Sequence, residues 1–222
     1  MIRKVCGMKY PENMTGLAGT GANVMGLIFY EGSPRYFSGD LPVLPSELAL
    51  AGVFVNSAIP EVVEKTSRYR LSFIQLHGEE SPEYCKALSA ELKNYGYTAD
   101  LIKAIPLAGT GDLSIAEAYD GLVQYFLFDT KGPNKGGNGY RFNWDILGGY
   151  ELQTPFILSG GIGPEDAEAV DSFLGSAPGT HCSGFDLNSC FEIRPGLKNM
   201  NLIKEFNTRI TGTTPDKKIT EI

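Results

Sequence analysis

Histidine is scarce in this chain. Its 222 residues include only His77 and His181, which argues against a histidine-rich metal centre. The four cysteines, Cys6, Cys85, Cys182 and Cys190, are scattered with no CxxC pair. That spacing disfavours a disulfide framework and suits free thiols in a reducing compartment. Basic charge is also short, with 19 Lys and Arg against 26 Asp and Glu, a net charge of −7. No basic face is then available for nucleic acid or an anionic membrane, although a local anion site made of backbone amides stays possible. No apolar run reaches membrane-spanning length, and MIRKVCGMKY has no signal-peptide core, so the chain reads as cytoplasmic. Nor does a GxGxxG follow the first apolar run, which removes the dinucleotide-binding form of a doubly wound sheet.

What is present is an ordinary core composition, 42% hydrophobic and 20% charged, sized for one domain. Short runs rich in β-branched and aromatic residues recur along it: IRKVC (2–6), VMGLIF (24–29), AGVFV (51–55), SFIQL (72–76), DLIKAI (100–105), QYFLFD (124–129), PFILS (155–159) and CSGFDL (182–187). The runs are continuous rather than alternating, as parallel strands covered on both faces require. Helical segments fall between most of them. PEVVEKTSRYR, SPEYCKALSAELKNYG and PEDAEAVDSFLG each open with a proline near the start, and Ser81 is an N-cap candidate. Eight strands alternating with helices predict an α/β fold, a single (β/α)8 TIM barrel over residues 1–211. Residues 212–222 lack a helical apolar face and read as a loose C-terminal tail.

In such a barrel the C-terminal ends of the strands carry the chemistry. Cys6 closes the first run and Gly7 follows it; the thiol reads either as core packing or as a general base. Asp129 closes the sixth run ahead of the glycine-rich TKGPNKGGNG, either capping the turn or facing a substrate as an acid. Strands one and six lie on different sides of the mouth, so the two groups can approach one substrate from opposite faces. Gly160, Gly161 and Gly163 follow strand seven, and Asp186, Asn188, Ser189 and Cys190 stand at the end of strand eight. Loops at those two places are the usual phosphate site of the fold. Arg35, in EGSPRYFSGD, is placed to pair with a substrate carboxylate or to be solvated. His77, in IQLHGEE, either binds substrate or anchors its loop.

Taken in chain order, KVCGM, SPRYFS, GVFVN, IQLHGEE, LFDTKGPNKGGNGYRFNW, ILSGGIGPEDA and GFDLNSCFEIRPGLKN resemble the phosphoribosylanthranilate isomerases of tryptophan biosynthesis, from Arg3 to about Phe206. The resemblance implies an Amadori rearrangement of N-(5-phosphoribosyl)anthranilate without metal or cofactor. It implies Asp129 as general acid and Cys6 as general base. Arg35 would hold the anthranilate, and the loops at Gly160–Gly161 and Ser189–Cys190 the phosphate. His77 and Asp186 complete the expected substrate contacts. The partner is then a small phosphosugar, with no nucleic acid and no membrane, and the assembly a monomer or homodimer. One departure stands out: the family commonly reads DVSSGVE after strand eight, and this chain reads DLNSCFE, with Asn188 for a serine and Cys190 for a glycine.

The alternatives are a non-catalytic phosphosugar-binding barrel and another phosphosugar barrel enzyme. Indole-3-glycerol phosphate synthase needs lysines at strand tips two and three, which this chain lacks. The histidine-pathway isomerase needs an aspartate where Cys6 stands.

Overall fold

Runs of three to eight residues, buried on both faces, form the strands of a closed parallel barrel in the computed structural model, which describes residues 1–107, 110–130 and 144–211. The strands are β1 (Ile2–Val5), β2 (Val24–Ile28), β3 (Ala49–Phe54), β4 (Phe73–Leu76), β5 (Asp100–Leu107), β6 (Tyr125–Thr130), β7 (Phe156–Leu158) and β8 (Cys182–Leu187). They pair in chain order, and β1 also pairs with β8 to close the ring. The expected TIM barrel is therefore present. Cys6 lies one residue beyond β1, and Asp129 is the penultimate residue of β6 rather than its last.

The helical ring is less regular than the strands. Its helices are α1 (Pro11–Thr15), α2 (Ile59–Tyr69), α3 (Pro82–Asn94), α4 (Ser114–Glu117), α5 (Ala167–Leu174) and α6 (Met200–Arg209). Ser81 caps α3 by accepting from the Tyr84 amide at 3.2 Å. The segment between β2 and β3 holds turns and loops but no helix, and a short hairpin, β9 (Glu192–Arg194) and β10 (Leu197–Lys198), precedes α6. Arg3 ties the two chain ends together, donating to the carbonyls of Asn207 and Ile210 at 3.0 Å each. No described helix is long and apolar enough to cross a membrane. The tail expected at 212–222 and the glycine-rich stretch 131–143 lie outside the described residues.

Two-residue periodicity sorts the side chains. One parity, including Val5, Leu27, Ile74, Ile105, Phe128 and Phe185, packs outward in the large core against the helices. The other points into the barrel, where Ile102, Ala104, Leu127 and Ile157 form a small inner cluster with Ile2, Phe73 and Tyr125 against it. Each fully buried large side chain contributes about 1.5–3 kcal/mol. Following the inner parity toward the C-terminal mouth, apolar residues give way to Lys4, Gln75, Asp129 and Asp186, all buried. Polar groups in that layer are costly unless partnered. Their arrangement defines the site.

Candidate active site

The mouth holds a cleft that the inner parity of β1, β4, β6 and β8 reaches directly: Cys6, His77, Asp129 and Asp186 all line it. Arg35 enters from the loop after β2, and Gly160, Gly161, Ser189 and Cys190 from the loops after β7 and β8. Every residue singled out in the sequence as a site candidate reaches this cleft except Gly163. The Gly163 amide donates instead to Asp166 Oδ2 at 2.8 Å, closing the turn before α5.

Cys6 is 3% exposed. Lys4, two residues earlier on the same face, donates to Asp186 Oδ2 at 2.7 Å across the β1–β8 pairing, and the pair is buried. Burial pushes the Lys4 ammonium down, but Asp186 and Cys6 together outweigh it and hold Lys4 above its ordinary value. Burial also pushes the Cys6 thiol up, against the pull of Lys4, with Asp186 adding to the rise and Lys198 opposing it. At rest the group is a thiol. Space for it comes from β2: a Cβ on Gly26 would lie 2.9 Å from both Cys6 Sγ and Cys6 Cα.

Asp129 faces His77, with Nε2 3.4 Å from Oδ2. The other ring nitrogen, Nδ1, lies 3.0 Å from Gln75 Nε2. The loop that carries His77 is fastened from outside the barrel. Glu80 accepts from the amides of Asn56 (2.8 Å) and Gly78 (2.9 Å), and from Lys103 Nζ at 3.0 Å. Lys103 also donates to the Gly78 carbonyl at 2.8 Å, and both charged side chains are buried. The imidazole is thus held from both sides of its strand tip.

Arg35 is not solvated. Its Nε and Nη2 form a fork on Glu192 at 2.8 and 2.7 Å, and Nη1 is the nitrogen that Glu192 does not take. Gly7, at φ 72°, leaves room for the arginine stem; a Cβ there would sit 2.7 Å from Arg35 Cδ. Glu192 is shared with Lys198, its partner in the hairpin, at 2.7 Å. Burial pushes Glu192 up, but Arg35 and Lys198 outweigh it and hold it below the usual glutamate range. Lys198 Nζ also donates to Asn188 Oδ1 at 2.7 Å. The departure at position 188 therefore gives Lys198 an acceptor and fixes the turn before Ser189.

Gly160 (φ 85°) and Gly161 (φ 68°) adopt left-handed backbone that a side chain would strain. Neither amide donates to a described backbone carbonyl. Cys190, the other departure, turns its thiol toward the Gly161 carbonyl at 3.8 Å and so joins the two loops. Among the described residues no group of three His, Cys, Asp or Glu is placed to hold a metal.

Sequence reasoning missed Lys4, Gly26, Gln75, Lys103, Glu192 and Lys198. Lys4 left a signal, a lysine two residues before Cys6 on the inward face of a buried strand. Gln75 stands likewise two before His77. Glu192 and Lys198 left none, because their roles depend on Arg35, 157 residues from Glu192.

Comparison with known proteins adds a further finding. A family model described as N-(5'phosphoribosyl)anthranilate (PRA) isomerase matches residues 3–209. The N-(5'-phosphoribosyl)anthranilate isomerase of Parabacteroides distasonis is 44% identical, covering 99% of this chain and 100% of the relative. That of Rhizobium rhizogenes is 35% identical, over 91% of this chain and 90% of its own. The crystal structure of the Thermotoga maritima phosphoribosyl anthranilate isomerase superimposes with a TM-score of 0.78 at 29% identity, covering 96% of this chain and 100% of that one. Another isomerase, solved with reduced 1-(o-carboxyphenylamino)-1-deoxyribulose 5-phosphate, gives 0.76 at 27%, with the same coverage.

Proposed function

The chain belongs to the N-(5'-phosphoribosyl)anthranilate isomerase family of tryptophan biosynthesis, and from that premise we propose that Asp129 and Cys6 are the acid and base of its rearrangement. The observation that carries the assignment is their placement. A carboxyl on β6 and a thiol beyond β1 line one cleft from different sides, with glycine loops at its rim.

The steps follow from that placement. Asp129 gives its proton to the furanose ring oxygen of N-(5-phosphoribosyl)anthranilate. The C1–O bond breaks, and the anilino nitrogen supplies the electron pair for an iminium. Cys6 first loses its own proton to solvent as the iminium forms beside it. The resulting thiolate takes the proton from C2, the C–H pair forms the enolamine double bond, and the iminium's C=N pair returns to nitrogen. Proton return at C1 and loss from the enol oxygen give 1-(2-carboxyphenylamino)-1-deoxyribulose 5-phosphate. The sequence is redox-neutral and balances with two protein groups and no cofactor. The cleft disfavours the thiolate, so the iminium's positive charge beside Cys6 supplies the missing stabilisation at the step that needs it.

Arg35 holds the anthranilate carboxylate through Nη1, because Glu192 already fixes the other edge of the guanidinium. His77 supports Asp129, and Asp186, with Lys4, borders the base. The amides of Gly160, Gly161 and Ser189 grip the phosphate, and Cys190 braces that loop. All these groups come from one chain, so a monomer or a homodimer serves equally. Free thiols suit a cytoplasmic setting.

Freshly formed phosphoribosylanthranilate is fluorescent, so its enzyme-dependent disappearance tests the activity directly. A folded protein that leaves the signal unchanged would overturn the reading. For the phosphate, Gly161→Ala should weaken inorganic phosphate binding about tenfold, since a Cβ there strains the φ of 68° and so shifts the amide. Calorimetric titration checks this, and an unchanged Kd would remove the phosphate from that loop.

A further inference from the structure

Gln75 presents an unusual choice for a barrel interior. It is 1% exposed, and its Oε1 is buried with no partner among the described residues. Among the described residues its one hydrogen-bond contact is Nε2 to His77 Nδ1, at 3.0 Å. An idle carbonyl in a core costs stability, and an aliphatic side chain would fill the space without that cost. Local rules broken in this way point to a role in the site.

The chemistry of the contact fixes that role. An amide nitrogen has hydrogens and no acceptor lone pair, so Nδ1 must accept and the neutral imidazole carries its proton on Nε2. That proton faces Asp129 Oδ2 at 3.4 Å, a distance open to tightening once substrate is bound. We propose that Gln75 is a positioning residue for the acid: it locks His77 in the Nε2–H tautomer, which donates to Asp129 Oδ2. The hydrogen bond to Oδ2 strengthens as Asp129 becomes a carboxylate, because a charged acceptor binds a donor more strongly than a neutral one. The pair thereby favours the state reached after proton transfer. The carboxylate of Asp186 also acts on Asp129 from β8, so a donor on the opposite side offsets repulsion between the two carboxylates.

This inference rests on Asp129 being the acid, yet its first test does not. With two histidines in the chain, a His181→Gln variant leaves one imidazole to observe by 15N NMR at alkaline pH, where imidazole is neutral. Nδ1 is expected as the unprotonated nitrogen and Nε2 as the protonated one. A spectrum dominated by the reverse tautomer overturns the proposal, whatever Asp129 does. Gln75→Leu should then mix the tautomers and lower kcat on the order of tenfold with little change in KM, less than the about 10²–10⁴ of losing an acid outright. A merely structural glutamine would lower Tm and leave tautomer and kcat unmoved, which also overturns the proposal. Should that variant fail to fold, the spectrum of the chain with its native Gln75 decides alone.

Discussion

Asp129→Asn is expected to lower turnover by about 10²–10⁴-fold while fold and phosphate affinity stay intact. The asparagine keeps the carboxyl's shape, and its carbonyl oxygen still accepts from the His77 ring. It lacks the acidic proton that opens the furanose, and no described neighbour is placed as a substitute. Asp186 is the nearest chemical alternative, but its Oδ2 is engaged by Lys4 deep in the barrel. Steady-state rates, circular dichroism and a phosphate titration on the same preparation separate loss of chemistry from loss of structure. Near-normal turnover in a native fold would send the acid role elsewhere.

Cys6→Ser should be comparably severe, a loss of about 10²–10⁴-fold with product affinity retained. The hydroxyl fits where the thiol fitted, but it is far harder to ionise, and burial has already raised even the thiol above its ordinary value. The sign of that rise gives a second observable. In the free enzyme the alkylation rate at Cys6 should climb through a midpoint above that of an ordinary cysteine, because burial raises the thiol, and bound product should protect the residue. Burial holds Cys85 up at about 11 and Cys182 at about 12, so half-buried Cys190 is the main competitor in peptide mapping. Full activity after complete alkylation at Cys6 would return this cysteine to core packing.

The barrel was legible because its strands are covered on both faces, which makes each a continuous apolar run that stands out from polar connectors. Boundaries moved where polar residues extend a strand, as at Thr130, or where an apolar one lies beyond it, as at Phe29. The link between β2 and β3 carries no periodicity, and its lack of a helix matches that. The mouth was legible in part for a related reason. Cys6, Asp129, Gly160 and Gly161 sit where apolar runs stop, and stopping points are visible locally. The groups that tune them were not visible, since their partners are remote in sequence. Lys4 meets Asp186 across 182 residues, and only barrel closure brings them together. Arg35 showed the same limit. Its charge was plain in the sequence, but its commitment to Glu192 was not.

Gly26 limits which substitutions this enzyme can accept. Any side chain at position 26 enters the volume held by Cys6, so the identity of the base and the emptiness of its neighbour form one joint choice. A larger proton acceptor at position 6 has no slack to draw on from β2, and a methyl at position 26 would press on both the thiol and the Cα of Cys6. Variation at the two sites is therefore contingent. Mutational paths that change the chemistry at the first strand must pass through glycine at the second, and libraries that randomise position 6 alone will sample only groups as slim as a thiol.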